Sequence, residues 1–186
     1  FDRELHAVNA VDAAVALIDR TVLAPAVRTI ETQFADQPLV DATLRTTLGS
    51  VYQKLGRSDA ALALHRRAYE LRAESLGLEH PETLGSKFGV GNALGQLQQL
   101  GEAEETVRET LEAYERVLGA DHEQSLATKS LLATQMSLLG RYDDSEAITR
   151  DVLERCERLL GPEHAKTLNS KSDLGRCRTN RGKYAD

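Results

Sequence analysis

Residues 76–84 read Leu-Gly-Leu-Glu-His-Pro-Glu-Thr-Leu, and the chain then repeats the phrase twice. Residues 118–126 read Leu-Gly-Ala-Asp-His-Glu-Gln-Ser-Leu, and 160–168 read Leu-Gly-Pro-Glu-His-Ala-Lys-Thr-Leu. Gly77, Gly119 and Gly161, His80, His122 and His164, and Leu84, Leu126 and Leu168 each recur 42 residues apart. A fixed period of this length confines the chain to stacked copies of one supersecondary unit, since no single copy can bury its apolar face alone. Gly56, Gly140 and Gly182 keep the same register, and Gln98 stands where that series lacks a glycine.

Within each period the apolar spacing predicts two helices. A first helix, A, is expected over about 41–55, 82–97, 124–139 and 166–181, and a second, B, over about 58–76, 100–118 and 142–160, with another starting at Tyr184. The short links at Gly56-Arg57, Gln98-Gln99 and Gly140-Arg141 force antiparallel neighbours. The repeats then cover about 41–77, 82–119, 124–161 and 166–186, inside an array over 37–186. Ahead of it, Leu5, Val8, Val15 and Ile18 predict a helix over roughly 3–20, and Leu23, Val27, Ile30 and Phe34 predict a second. Pro25 separates the two because its ring clashes one turn back. Residues 1–36 are read as an atypical cap, which the end of a solenoid needs.

Composition narrows the function classes. Acidic residues outnumber basic ones, 29 to 23, so no nucleic-acid footprint is expected. The longest early apolar run, 13–18, is far short of a span, so no membrane insertion is expected of this stretch. Cys156 and Cys177 make no disulfide framework, which favours an intracellular, cytoplasmic setting. The chain begins at Phe1 rather than Met and stops two residues after Tyr184, in mid-repeat, so it reads as a piece of a longer protein. The last A helix would then lack its B partner and leave Leu174 uncovered. Self-association through residues 166–186 is the expected result.

The residues also carry a family resemblance. Leu48-Gly49, Val90-Gly91, Leu132-Ala133 and Leu174-Gly175 resemble the small-residue position of tetratricopeptide (TPR) helix A. Ala61, Ala103 and Ser145 resemble that of helix B, and Tyr142 and Tyr184 the tyrosine after the turn. The 42-residue period with Leu-Gly-x-x-His-Pro-x-Thr-Leu is similar to the kinesin-light-chain type. The resemblance implies an all-α right-handed superhelix, about three and a half helix pairs behind a helical cap, that binds protein or peptide and is not itself catalytic. Residues 21–57 further resemble the entry to the repeat region of bacterial serine/threonine-kinase regulators. That implies two alternatives: a sensing or scaffolding region of a larger kinase, or a receptor domain for a signal peptide or small ligand.

Carried over position by position, the resemblance places a recognition groove on the inner face of the A helices. It is lined by Thr46, Ser50 and Gln53, by Phe88, Asn92 and Gln96, by Ser130, Thr134 and Ser137, and by Ser172, Arg176 and Thr179. Thr47, Gly89, Leu131 and Asp173 replace the family's groove asparagine, leaving a nearly neutral groove whose hydroxyls and amides can bond a peptide backbone. Phe88 and Leu131 are expected to supply its apolar contacts. Gly85, Gly89 and Gly95 fall on or beside the same face. Only Gly91 has a packing reason to be small, so the other three are read as a lowered groove floor, and Gly85→Ala with Gly89→Ala as harmless to stability.

Other constellations carry no chemistry. The three signature histidines sit on A-helix entries whose neighbours pack 8–10 Å apart, too far to share an ion whose ligands lie about 2 Å away. Their expected role is to order the turn from B to A, with no metal or cofactor. Gly89-Val90-Gly91 with Gly95 has the wrong spacing and no preceding strand for a dinucleotide loop. Lys87, Lys129 and Lys171, with Arg45, form a basic column whose stems are read as cover for apolar surface. Acid–base pairs such as Glu112/Arg116, Glu146/Arg150 and Glu154/Arg158 are read as a solvated outer face. Cys156 and Cys177 are read as buried packing residues that are close neighbours.

Overall fold

In the computed structural model, which describes residues 10–183, every element is helical. The order is α1 Ala10–Ile18, a π-helical segment Asp19–Leu23, α2 Ala24–Gln33, α3 Pro38–Lys54, α4 Ser58–Leu76, α5 Pro81–Gln96, α6 Leu100–Leu118, α7 Glu123–Leu138, α8 Tyr142–Leu160 and α9 Ala165–Lys183. The expected starts at residue 3 and at Tyr184 lie outside the described residues.

The repeated phrase acts through backbone chemistry at both of its ends. Each B helix stops at a glycine in the left-handed region, with φ of 89° at Gly77, 91° at Gly119 and 88° at Gly161. Only a residue without Cβ adopts that conformation freely. Three residues later the histidine caps the next A helix. The His80 Nδ1 accepts the Glu82 N–H at 3.2 Å, His122 that of Gln124 at 3.3 Å, and His164 that of Lys166 at 3.2 Å. The role expected of these histidines is therefore the one they perform.

Successive helices pack antiparallel, and each A helix also touches the next, α3 on α5, α5 on α7 and α7 on α9. This two-layer stack is an α-solenoid. Its core runs through Leu62, Leu64, Val90, Leu94 and Ala103, then through Val107, Leu132 and Met136. Leu94 and Val107 are completely buried, each burial stabilising by about 2 kcal/mol.

Pro25 does not break the leading helix as expected. The chain stays helical from Ala10 to Gln33, and the Ala24 N–H bonds to the Asp19 carbonyl, five residues back. One extra residue in that turn makes room for the proline ring. Leu23 and Ile30 are buried, and Asp19 ties this helix to α3 by accepting from the Tyr52 hydroxyl at 2.6 Å and pairing with Arg57 at 3.3 Å.

Several surface expectations change. Arg116 pairs with Glu79 at 2.6 Å and Arg158 with Asp121 at 2.7 Å, so this column joins α6 and α8 to the turn before the A helix each of them follows. Glu146 is not solvated but buried, held by Arg150 at 2.5 Å and by Arg178 and Arg181 of α9 at 3.2 and 2.6 Å. Burial raises its pKa, yet the hydrogen bond from Arg178 and the surrounding guanidinium charges outweigh that and hold it below the ordinary value. Leu174 is also buried, at 8% exposure, so the exposed apolar residue of α9 is Leu168 instead. The lysine column is engaged with acids of the facing B helix. Lys87 meets Glu109 at 2.6 Å, Lys129 meets Asp151 at 2.5 Å and Lys171 meets Glu157 at 3.1 Å. Arg45 pairs with Asp41 on its own helix.

Candidate ligand groove

The inner faces of α3 and α5 build one hollow of about 360 Å³. It is lined by Thr46, Ser50, Gln53, Gly85, Phe88, Gly89, Asn92 and Gln96, together with Lys54 and His65. Sequence reasoning placed eight of these ten residues on the groove. It missed Lys54, and it missed His65, which reaches the floor from the B helix α4.

Hydrogen bonding inside the groove decides what it offers a ligand. The Thr46 hydroxyl donates to the Ala42 carbonyl at 2.8 Å, Ser50 to Thr46 at 3.0 Å, Ser130 to Leu126 at 3.0 Å and Thr134 to Ser130 at 3.1 Å. Each donor is thus engaged one helical turn back, leaving oxygen lone pairs toward the groove. Gln96 accepts from Ser58 at 2.7 Å, and Gln53 faces His65 Nε2 at 3.2 Å. The side chain of Asn92, half-buried at the centre, makes no hydrogen bond among the described residues. The groove therefore presents hydroxyl acceptors beside the Lys54 ammonium, the Gln53 amide nitrogen, which has no partner among the described residues, and the uncommitted Asn92 amide.

His65 explains two glycines, one of them in the α5 cluster. Its ring is 2% exposed and is wedged between α3 and α5. A Cβ on Gly89 would lie 2.6 Å from His65 Nδ1, and one on Gly49 would lie 2.8 Å from Nε2. Gly95 makes room for Gln135, whose Nε2 would lie 2.1 Å from an added Cβ. Gly89 and Gly95 thus have packing reasons to lack a side chain, contrary to the sequence reading. Gly85 does not: its nearest neighbour would be the Tyr114 hydroxyl at an ordinary 3.5 Å. Burial pushes the His65 pKa from the ordinary 6.5 down to about 4, so the ring is neutral at physiological pH.

A second hollow of about 370 Å³ adjoins the first at Thr46, Gly85 and Phe88 and adds Arg72, Tyr114 and Thr128. Arg72 is buried, and its guanidinium donates to Thr46 at 3.1 Å, Ser86 at 2.8 Å and Thr43 at 3.2 Å. Tyr114 donates to the Pro81 carbonyl at 3.2 Å. Burial pushes its pKa up to about 12, against a smaller opposing effect of Arg72. Arg72, Tyr114 and Cys156 occupy one helix-B column at the 42-residue spacing, the signal that could have found these residues.

The remaining candidates divide. Ser130, Thr134, Ser137 and Arg176 line a third hollow of about 270 Å³ between α7 and α9, with Asp173 and Cys177. Ser130 also lines a fourth, of about 460 Å³. Leu131 packs against Val107, Leu132 and Met136 and lines none of these hollows. Ser172 and Thr179 are exposed on α9 and line none either. The cysteines do not pair. Cys177 sits 3.2 Å from the Ser145 hydroxyl, whereas Cys156 sits 3.9 Å from that of Ser170, two turns earlier on α9. Among the described residues no cluster of His, Cys, Asp and Glu could hold a metal, and no helix is long and apolar enough to cross a membrane.

Comparison with solved structures finds the same architecture. Crystal structures of kinesin-light-chain nearly identical TPR-like repeats from Podosopora anserina match in two forms. One is 23% identical with a TM-score of 0.69, covering 94% of this chain and 80% of that one. The other is 21% identical with a TM-score of 0.68, covering 95% and 87%. BtubC (BKLC) from P. vanneervenii is 17% identical with a TM-score of 0.71, covering 94% of this chain and 73% of that one. No curated protein matches the sequence. The tetratricopeptide repeat profile matches residues 40–116, 84–148 and 125–186. Period, caps, stacking and profile agree: the chain belongs to the tetratricopeptide repeat family, and its structural neighbours are of the kinesin-light-chain type.

Proposed function

We propose that this chain is a non-catalytic scaffold that holds an extended polypeptide along the inner faces of α3 and α5. The observation that carries the reading is the hollow around Asn92, where the uncommitted Asn92 amide and the Gln53 amide nitrogen lie among lone-pair-presenting hydroxyls and the Phe88 ring. A peptide backbone supplies N–H groups for those acceptors, and Asn92 can accept and donate to the same peptide unit. An intracellular setting belongs to the same proposal and is supported by two buried, unpaired cysteines.

The test is selection of binding peptides from a random display library, followed by amide NMR mapping of one selected peptide. Shifts concentrated on 46–53 and 85–96 are expected. Shifts confined to the outer faces of α4 and α6 would overturn the reading.

A further inference from the structure

The space between α7, α8 and α9 repeats the space between α5, α6 and α7, with three side chains cut short and a fourth changed from apolar to acidic. Moving 42 residues on, Phe88 becomes Ser130, Tyr114 becomes Cys156, Leu131 becomes Asp173 and Gln135 becomes Cys177. In the earlier space Phe88 and Tyr114 border a hollow of about 370 Å³, and Gln135 and Leu131 pack beside it. Tyr114 is 3% exposed and Gln135 2%, the latter set against Gly95, and Leu131 lies on the Val107 cluster. In the later space, where both rings are gone, that hollow widens to about 460 Å³ and a second of about 270 Å³ joins it at Ser130, Val152, Ser170 and Asp173. The larger falls within the ~300–1,000 Å³ typical of small-ligand sites.

The chemistry of the walls narrows the occupant. The floor is apolar: Leu126, Val152 and Cys156. The polar groups at the junction only accept, because Ser130 donates to Leu126 and Ser170 to Lys166, each at 3.0 Å. Asp173 uses its Oδ1 to pair with Arg176 at 2.9 Å. Its Oδ2 has no hydrogen bond among the described residues, and it stands where the earlier space has a leucine. An apolar ring carrying a hydrogen-bond donor satisfies both surfaces. The charged lining disfavours an anion, because Asp121, Glu123 and Asp173 outnumber Lys166 and Arg176, each of which is already paired with one of them.

We propose that this hollow is a binding site for a small phenolic molecule, its ring lying where Phe88 and Tyr114 lie one repeat earlier and its hydroxyl donating to Asp173. The site is separate from the Asn92 groove, so it can fail without touching that reading. The probe is p-cresol, titrated into the protein and followed by amide NMR, with toluene, p-toluate and the tripeptide Gly-Tyr-Gly in parallel. Saturable p-cresol shifts at Ser130, Cys156, Ser170 and Asp173 are expected, with a Kd on the order of 1 mM. Toluene should bind about tenfold more weakly for want of the donor, and p-toluate should not bind. Cys156→Tyr, which restores the residue of the earlier repeat, should abolish the shifts and raise the Tm. Asp173→Leu, on the open rim, provides a second variant: it restores the residue of the earlier repeat, leaves no acceptor there and should remove the preference for p-cresol over toluene. Unsaturable shifts, shifts spread evenly over all repeats, or binding of p-toluate as tight as p-cresol would overturn the proposal. Tighter binding of Gly-Tyr-Gly than of p-cresol would also overturn it, by moving the source of the ring to a polypeptide.

Discussion

Gln98 carries a positive φ of 61° in the link between α5 and α6, where the neighbouring repeats place Gly56 at 72° and Gly140 at 77°. It is the sole non-glycine residue with positive φ among those described. A side chain in the left-handed region costs roughly 1–2 kcal/mol. Replacing it by glycine removes that cost and adds back about 0.5–1 kcal/mol of chain entropy. Gln98→Gly should therefore stabilise the fold by about 0.5–1 kcal/mol, or about 2–4 °C in Tm at the upper end. The exposed link has nothing else to lose, since the Gln98 N–H bond to the Gly95 carbonyl is kept by any residue. Gly140→Gln makes the reverse change in the same turn one repeat later and should destabilise by about 1 kcal/mol. Urea midpoints of both variants, measured beside the parent at constant m, decide the matter. Equal midpoints for all three, or a loss of stability in Gln98→Gly, would refute the reasoning.

Gly89→Ala should destabilise by about 1–2 kcal/mol despite the better helix propensity of alanine, because its Cβ meets the wedged His65 ring. Gly85→Ala, with ordinary contacts, should hold or raise the urea midpoint and serves as the control. The depressed pKa of His65 means that the unfolded chain takes up its proton first as pH falls. Its contribution is full above about 6.5 and is lost between 6.5 and about 4, by about 3 kcal/mol in all. Urea midpoints across that window should fall with pH in the parent and fall less in His65→Gln. Leu94→Ala empties a fully buried site and should cost about 2–5 kcal/mol in the same assay.

The helix boundaries were legible because glycine and histidine punctuate the period through local backbone chemistry. Helices α4, α6 and α8 fall on the residues expected, and α5 and α7 begin one residue early. Pro38 opens α3 three residues before its expected start, at a helix position where its missing N–H costs nothing. The π-helical segment ahead of Pro25 was not legible, since bonding five residues back leaves no periodic trace. The glycine cluster was misread because its partners, His65 and Gln135, lie on other helices and outside the repeated phrase. The Arg72–Tyr114–Cys156 column escaped notice for a related reason: it keeps its position and changes its chemistry at every turn. Position alone placed Thr46, Ser50, Phe88 and Asn92 on one hollow, whereas Leu131, an apolar side chain beside the Val107 cluster, packs against that cluster instead.

The central claim, that a polypeptide lies against Asn92, is tested most directly by the affinity of a library-selected peptide for Asn92→Ala. The parent side chain makes no hydrogen bond within the described residues, so its removal leaves the fold intact and isolates the groove. Isothermal titration should show binding weakened about tenfold, a loss of about 1.4 kcal/mol, while Glu112→Ala on the outer face of α6 leaves it unchanged. Equal affinity for Asn92→Ala and the parent, at equal Tm, would contradict the account.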